Sequence, residues 1–96
     1  MSALRKSARG RECQVRIPNY CNFNPETTVL AHLNGGGMGR KRHDLFGAFC
    51  CSACHDVLDG RVKARRYSMD DIERMHLEGM ARTQQIWIDE GLVVTK

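Results

Sequence analysis

Cysteine spacing constrains this chain more than any other feature: Cys13 and Cys21 near the start, then Cys51-Ser-Ala-Cys54-His55 in the middle. Cys-x-x-Cys lets two thiolates reach one metal ion, and a second cysteine pair supplies the other half of a tetrahedron. His55 directly follows a ligand and points elsewhere, so it is left for other chemistry. His32 lies between the two halves, shortly before Gly35-Gly36-Gly37. The pattern reads as a small unit stapled by structural zinc on Cys13, Cys21, Cys51 and Cys54. Seven residues separate the first two cysteines, more than a tight knuckle requires, so that pair is the weaker signal. Cys50 precedes Cys51 in an extended run, which turns its side chain to the opposite face and makes it a core residue. An exchange of roles between Cys50 and Cys51 stays open.

A staple suits the size. Ninety-six residues make one domain, and a chain of that length buries roughly 60–65% of the surface its unfolded form exposes, a marginal core. No apolar run approaches the roughly 18–20 residues that span a bilayer, so no membrane association is expected. The first residues carry charge but no apolar stretch of the secretory kind, which predicts a cytoplasmic protein. In a reducing compartment five cysteines are read as metal ligands or free thiols rather than disulfides.

Charge is unevenly spread. Residues 1–66 hold twelve Lys/Arg against five Asp/Glu, and residues 67–96 hold three against six, which gives the net charge of +4. The basic residues form clusters at Arg5, Lys6, Arg9 and Arg11, at Arg40, Lys41 and Arg42, and at Arg61, Lys63, Arg65 and Arg66. All flank the Cys/His region, which points to a polyanionic partner such as nucleic acid. A moderately basic protein with solvated faces is the plainer alternative.

Along the chain, residues 1–12 read as a basic arm or short helix. Cys13 to Cys21 alternates apolar and polar residues as a short strand does, before Pro18-Asn19 turns it. Thr27-Thr-Val-Leu-Ala-His-Leu reads as a strand ending near His32, and Leu45 to Cys50 as its partner, joined by the glycine-rich basic loop 34–42. Ser52 caps a helix from Ala53 to about Asp59, ended by Gly60. Ser68 and Asp71 resemble a capping box. Ile72, Met75, Met80, Thr83, Ile86 and Trp87 then recur at helical spacing up to Gly91, a core stripe rather than a cofactor box. No small-molecule organic cofactor is expected. Leu92-Val-Val-Thr reads as a short terminal strand, and His76 as a packed or partly exposed helix residue without a role.

The order of these parts resembles the HNH branch of the ββα-metal (His-Me finger) nucleases. A closer similarity is to the YbcO-like nucleases of lambdoid prophages. It is carried by Cys13-Gln-Val-Arg-Ile-Pro, Pro25-Glu-Thr-Thr-Val-Leu-Ala-His32, Cys51-Ser-Ala-Cys54-His55-Asp56 and Glu78-Gly-Met-Ala-Arg-Thr-Gln. The resemblance implies an α+β fold: a zinc-stapled ββα-metal hairpin-helix unit in residues 13–66, followed by a long C-terminal amphipathic helix and tail in 67–96. It implies a metal-dependent DNA endonuclease hydrolysing phosphodiester bonds in phage or prophage recombination or DNA processing. His32 would then be the general base, Asp44 the residue that orients it, and His55 the ligand of a catalytic Mg²⁺ or Mn²⁺. Arg40, Lys41, Arg42, His43, Arg61, Lys63, Arg65 and Arg66 would contact DNA.

Two departures from the HNH pattern stand out. Asp44 lies further from the Cys-x-x-Cys than the pattern's Asn, and Ala31 stands where many HNH enzymes place an Asp cation ligand. A missing carboxylate would come from Asp44, Asp56 or Asp59, or its place be taken by His43. The alternatives are a non-catalytic zinc-stapled DNA-binding protein and a zinc-stapled adaptor binding protein through the acidic helix 70–90; a homodimer stays open. Attachment of c-type haem at Cys-x-x-Cys-His requires export, and a thioredoxin-like pair requires a βαβ setting, so neither is retained.

Overall fold

The protein was analysed as a computed structural model, and residues 3–33 and 43–94 are described. The chain forms a short helix α1 (Ala3–Lys6), strand β1 (Val29–His32), strand β2 (Gly47–Cys50), helix α2 (Ser52–Leu58) and the long helix α3 (Met69–Asp89). Single 3-10 turns at Pro25–Thr27 and Asp44–Phe46 lead into β1 and β2. The expected basic loop, with Arg40, Lys41 and Arg42, lies outside the described residues.

The strands pair antiparallel with Leu30 opposite Phe49, Ala31 opposite Ala48 and His32 opposite Gly47. Period-two alternation sorts the side chains onto two faces. Ala31, Ala48 and Cys50 face the cysteines and Val57 of α2, while Leu30 and Phe49 face Trp87 of α3 and Ala8. Gly47 is required where it stands, because a Cβ there would come within 2.8 Å of Leu30 Cγ.

α3 binds the two halves together. Its N-terminus carries the expected capping box, the Ser68 hydroxyl accepting from the Asp71 N–H and the Asp71 carboxylate accepting from the Ser68 N–H. Trp87 is fully buried and meets Phe49 edge to face at 5.7 Å. Thr83 Oγ accepts the Phe49 N–H at 2.9 Å, and Gln14 donates its N–H to the Phe49 carbonyl at 2.7 Å. Both groups cover the outer edge of β2, which would otherwise offer unpaired backbone. Gly79 lets α3 cross the cysteine segment closely: a Cβ there would lie 2.9 Å from Val15 Cγ2 and 3.1 Å from the Gln14 carbonyl oxygen.

Three expectations need correction. Residues 13–21 form no strand, since Arg16 and Asn19 adopt positive φ (50° and 71°) and the Arg16 and Ile17 N–H groups turn to sulfur. The cap of α2 is Cys51 rather than Ser52, with the Cys51 sulfur accepting the Cys54 N–H at 3.3 Å. Residues 92–94 form no strand either, because Gly91 (φ 75°) reverses the chain and Leu92 and Val93 donate back to the Trp87 carbonyl.

Candidate functional site

Two groups of chemically capable side chains emerge. In the first, the Sγ atoms of Cys13, Cys21, Cys51 and Cys54 all lie within 4.8 Å of one another, with Cys21 partly exposed and the rest buried. Zinc–thiolate bonds of about 2.3 Å give a tetrahedron with edges of about 3.8 Å, and the Cys21 and Cys51 sulfurs are 3.7 Å apart. Soft donors at that spacing fit a tetrahedral Zn²⁺, so these residues would hold it; all five cysteines are free thiols.

The backbone supports the same reading. Each sulfur accepts an amide: Arg16 N–H to Cys13 at 3.4 Å, Phe23 N–H to Cys21, Cys54 N–H to Cys51 at 3.3 Å, and Ile17 N–H to Cys54 at 3.4 Å. Reaching them puts Arg16 and Phe23 in the left-handed region at φ 50° and 54°. That conformation is unfavourable for residues with a Cβ and persists where surrounding structure imposes it. The thiols crowd one another. Hydrogen bonds from Cys50 and Cys54 hold Cys13 far below the ordinary thiol range, its thiolate raises Cys54, and burial pushes Cys21 up to about 11. Cys50 is fully buried, as expected of a core residue, yet its thiol lies against the Cys13 and Cys54 sulfurs, which push its pKa up. Cys51, not Cys50, belongs to the four-sulfur set.

The second group forms where β1 ends. His32 Nε2 lies 2.6 Å from Asp44 Oδ1, and both side chains are mostly shielded, at 15% and 14% exposure. An ionised carboxylate only accepts, so the contact places the imidazole proton on Nε2 and leaves the lone pair on Nδ1. The turn Asp44–Phe46 positions the carboxylate, with His43 capping it by accepting the Leu45 N–H on Nδ1 at 3.0 Å. His43 is thus an exposed capping residue.

The other named residues lie elsewhere. His55 Nδ1 and Asp59 Oδ2 are 3.6 Å apart on one face of α2, each about one-third exposed. No hydrogen bond or ion pair joins His55 to His32, and pleating puts His32 on the face opposite Ala31, which packs toward α2. Among the described residues, the four cysteines are the one set of three or more His, Cys, Asp or Glu donors able to share an ion. Asp56 pairs with Arg61 at 3.4 Å, while Lys63, Arg65 and Arg66 are exposed in the loop before α3.

His76 carries more structure than its sequence context suggests. It is buried, and its Nε2–H donates to the Ala31 carbonyl at 2.9 Å, tying α3 to β1 one residue before His32. Burial lowers its pKa, with the neighbouring His55 adding to the effect and the Ala31 carbonyl opposing it. A histidine on the inner face of an amphipathic helix was the available signal.

Together these features define a small α+β protein with a two-stranded sheet, a C-terminal helix and a four-thiol cluster able to bind a metal. Residues 2–92 match the family model described as "Putative nuclease YbcO". The chain belongs to the YbcO family. It is 52% identical to "Putative nuclease YbcO" of Escherichia coli (strain K12) and to "Putative nuclease ybcO" of Enterobacteria phage 82, each alignment covering 97% of this chain and 98% of the relative. It is also similar to a solved structure described as "Structure of a putative bacteriophage protein from Escherichia coli str. K-12 substr. MG1655". The TM-score is 0.80 at 53% identity, over 93% of this chain and all of that one. No helix among the described residues is long and apolar enough to cross a membrane.

Proposed function

We propose that this protein is a DNA endonuclease of the HNH type, hydrolysing phosphodiester bonds in phage or prophage DNA processing, with His32 as general base. The observation that carries the reading is the 2.6 Å contact between His32 Nε2 and Asp44. It fixes the tautomer in which Nδ1 takes a proton from water. As the water oxygen bonds to phosphorus and the phosphorus–oxygen ester bond breaks, that proton stays on Nδ1 and Asp44 stabilises the imidazolium, while the ester oxygen leaves with the bonding pair and takes a proton from solvent water. The nuclease names of the relatives support the substrate class. So does the β1–β2–α2 order, which is that of a ββα-metal unit.

Structural Zn²⁺ on Cys13, Cys21, Cys51 and Cys54 completes the scaffold. His55, with Asp59 beside it, would hold a catalytic Mg²⁺ or Mn²⁺; the pair lies on the α2 side of the hairpin and His32 on the other, so this assignment stands or falls separately from that of the base. When bound, such a cation neutralises charge building on the phosphate. Exposed Lys63, Arg65 and Arg66, with Arg61 and His43, would contact the DNA backbone, together with Arg40, Lys41 and Arg42 from outside the described residues.

A second reading, a non-catalytic zinc-stapled DNA-binding protein, is favoured by one observation. Ala31, at the place of the HNH cation ligand, is 2% exposed and packed in the core. The two separate when purified protein is incubated with supercoiled and branched DNA in Mg²⁺ or Mn²⁺. The endonuclease reading expects nicking that the metal stimulates and that His55→Ala removes. Binding without cleavage in either metal would establish the second reading; cleavage that survives His55→Ala would remove the cation assignment alone.

A further inference from the structure

Asp44 has another partner, and it comes from the N-terminal arm. Arg5 Nη2 donates to Asp44 Oδ1 at 3.2 Å, the same oxygen that meets His32 Nε2 at 2.6 Å. The arm is held there by packing. Leu4 and Ala8 join the cluster of Leu30, Phe49 and Trp87, with Ala8 1% exposed. Ser7 Oγ accepts the Trp87 indole N–H at 2.8 Å and donates to the Leu4 carbonyl at 2.6 Å, locking the turn that carries Arg5. Both ends of α3 therefore bear on the dyad: His76 near its start fixes the Ala31 carbonyl, and Trp87 near its end fixes the arm.

We propose that Arg5 is a positioning residue of the reactive centre, acting on His32 through Asp44. This rests on the reading of His32 as general base. A charge-assisted bond from a guanidinium holds a carboxylate in one rotamer more firmly than a lone imidazole does. Among the described residues, Asp44 Oδ1 thus meets both the imidazole Nε2 of His32 and the guanidinium of Arg5. With Arg5 in place, Asp44 keeps the Nε2–H tautomer and Nδ1 faces outward as the base. Without it, Asp44 loses one of the contacts that fix its rotamer, and the imidazole samples both tautomers. The basic arm is thereby part of the active site rather than only an electrostatic tether for DNA.

The test uses the full zinc-loaded chain with ¹⁵N-labelled histidine, comparing the unaltered protein with Arg5→Ala, Arg5→Lys and Asp44→Asn at a pH where histidines are neutral. The expected result is a single Nε2–H tautomer for His32 in the unaltered protein and a mixture in Arg5→Ala and Asp44→Asn. Arg5→Lys should largely restore the single form. Cleavage by Arg5→Ala should show kcat lower by roughly tenfold with KM little changed, the size expected for losing one charge-assisted contact. Zinc content and helical circular dichroism serve as fold controls. An Arg5→Ala protein with an unchanged tautomer, or with a raised KM and an intact kcat, would overturn the proposal, the latter making Arg5 a phosphate contact. If no form cleaves DNA but the tautomer responds as expected, the positioning link stands and only the endonuclease reading fails.

Discussion

At the scale of single residues, the proposed chemistry rests on the contact between His32 and Asp44. An asparagine at position 44 would offer a neutral amide that can either accept from Nε2–H or donate to Nε2, whereas the carboxylate only accepts and also stabilises positive charge on the ring. Asp44→Asn preserves shape and removes that charge. It should therefore leave thermal stability near the parent's and cut kcat by on the order of a hundredfold, read by single-turnover DNA cleavage. His76 gives a second residue-level expectation. Its folded pKa is depressed by burial, so the folded state takes up the proton less readily than the unfolded chain, which does so near the ordinary histidine value of 6.5. The contribution is present in full above that value and declines as pH falls below it. Chemical denaturation at pH 7.5 and pH 5.5 should show lower stability at the acid end, and His76→Gln should shrink the difference. An equal difference in both proteins would count against the assignment.

Among the elements, α3 was the most readable from sequence and the cysteine segment the least. α3 announces itself by Ser68, by Asp71 and by apolar residues at helical spacing, all local signals. Ser68→Ala should cost about 1 kcal/mol, read as a lower denaturation midpoint with an unchanged slope. Gly79→Ala should cost about 1–3 kcal/mol although alanine favours helix, because the new Cβ meets Val15 and the Gln14 carbonyl at the crossing. The segment 13–21 misleads because alternation of apolar and polar residues describes a strand, whereas amide-to-sulfur bonds decide its path. Positive φ at Arg16, Asn19 and Phe23 has no glycine to signal it. The same reasoning explains the α2 cap: a serine beside the helix start is the conventional choice, and the sulfur of Cys51 took its place. The strands ending at His32 and Cys50 were legible, as were the four sulfurs. The Arg5 contact was not, since no local pattern brings residue 5 to residue 44.

For the whole molecule, the cluster joins the segment from Cys13 to Cys21 to the Cys51–Cys54 turn, with 30 positions separating Cys21 from Cys51. Four thiols so close favour a cation that binds them together, so binding energy becomes folding energy. Removing zinc with a strong chelator should collapse the cooperative thermal transition. Cys54→Ser should be largely unfolded by circular dichroism; a folded, metal-free Cys54→Ser protein would show that the core alone suffices. Cys50→Ala should retain one zinc per chain, since Cys50 lies outside the four-sulfur set.

In the proposed mechanism the thiols hold the fold and the dyad at the end of β1 activates water. The most direct measurement is the cleavage rate of supercoiled DNA by His32→Ala beside the parent, with zinc content and melting temperature recorded for both. The account predicts that His32→Ala keeps its zinc and its fold and loses cleavage by at least about a hundredfold. Cleavage at the parent's rate by a folded, zinc-loaded His32→Ala protein would contradict it.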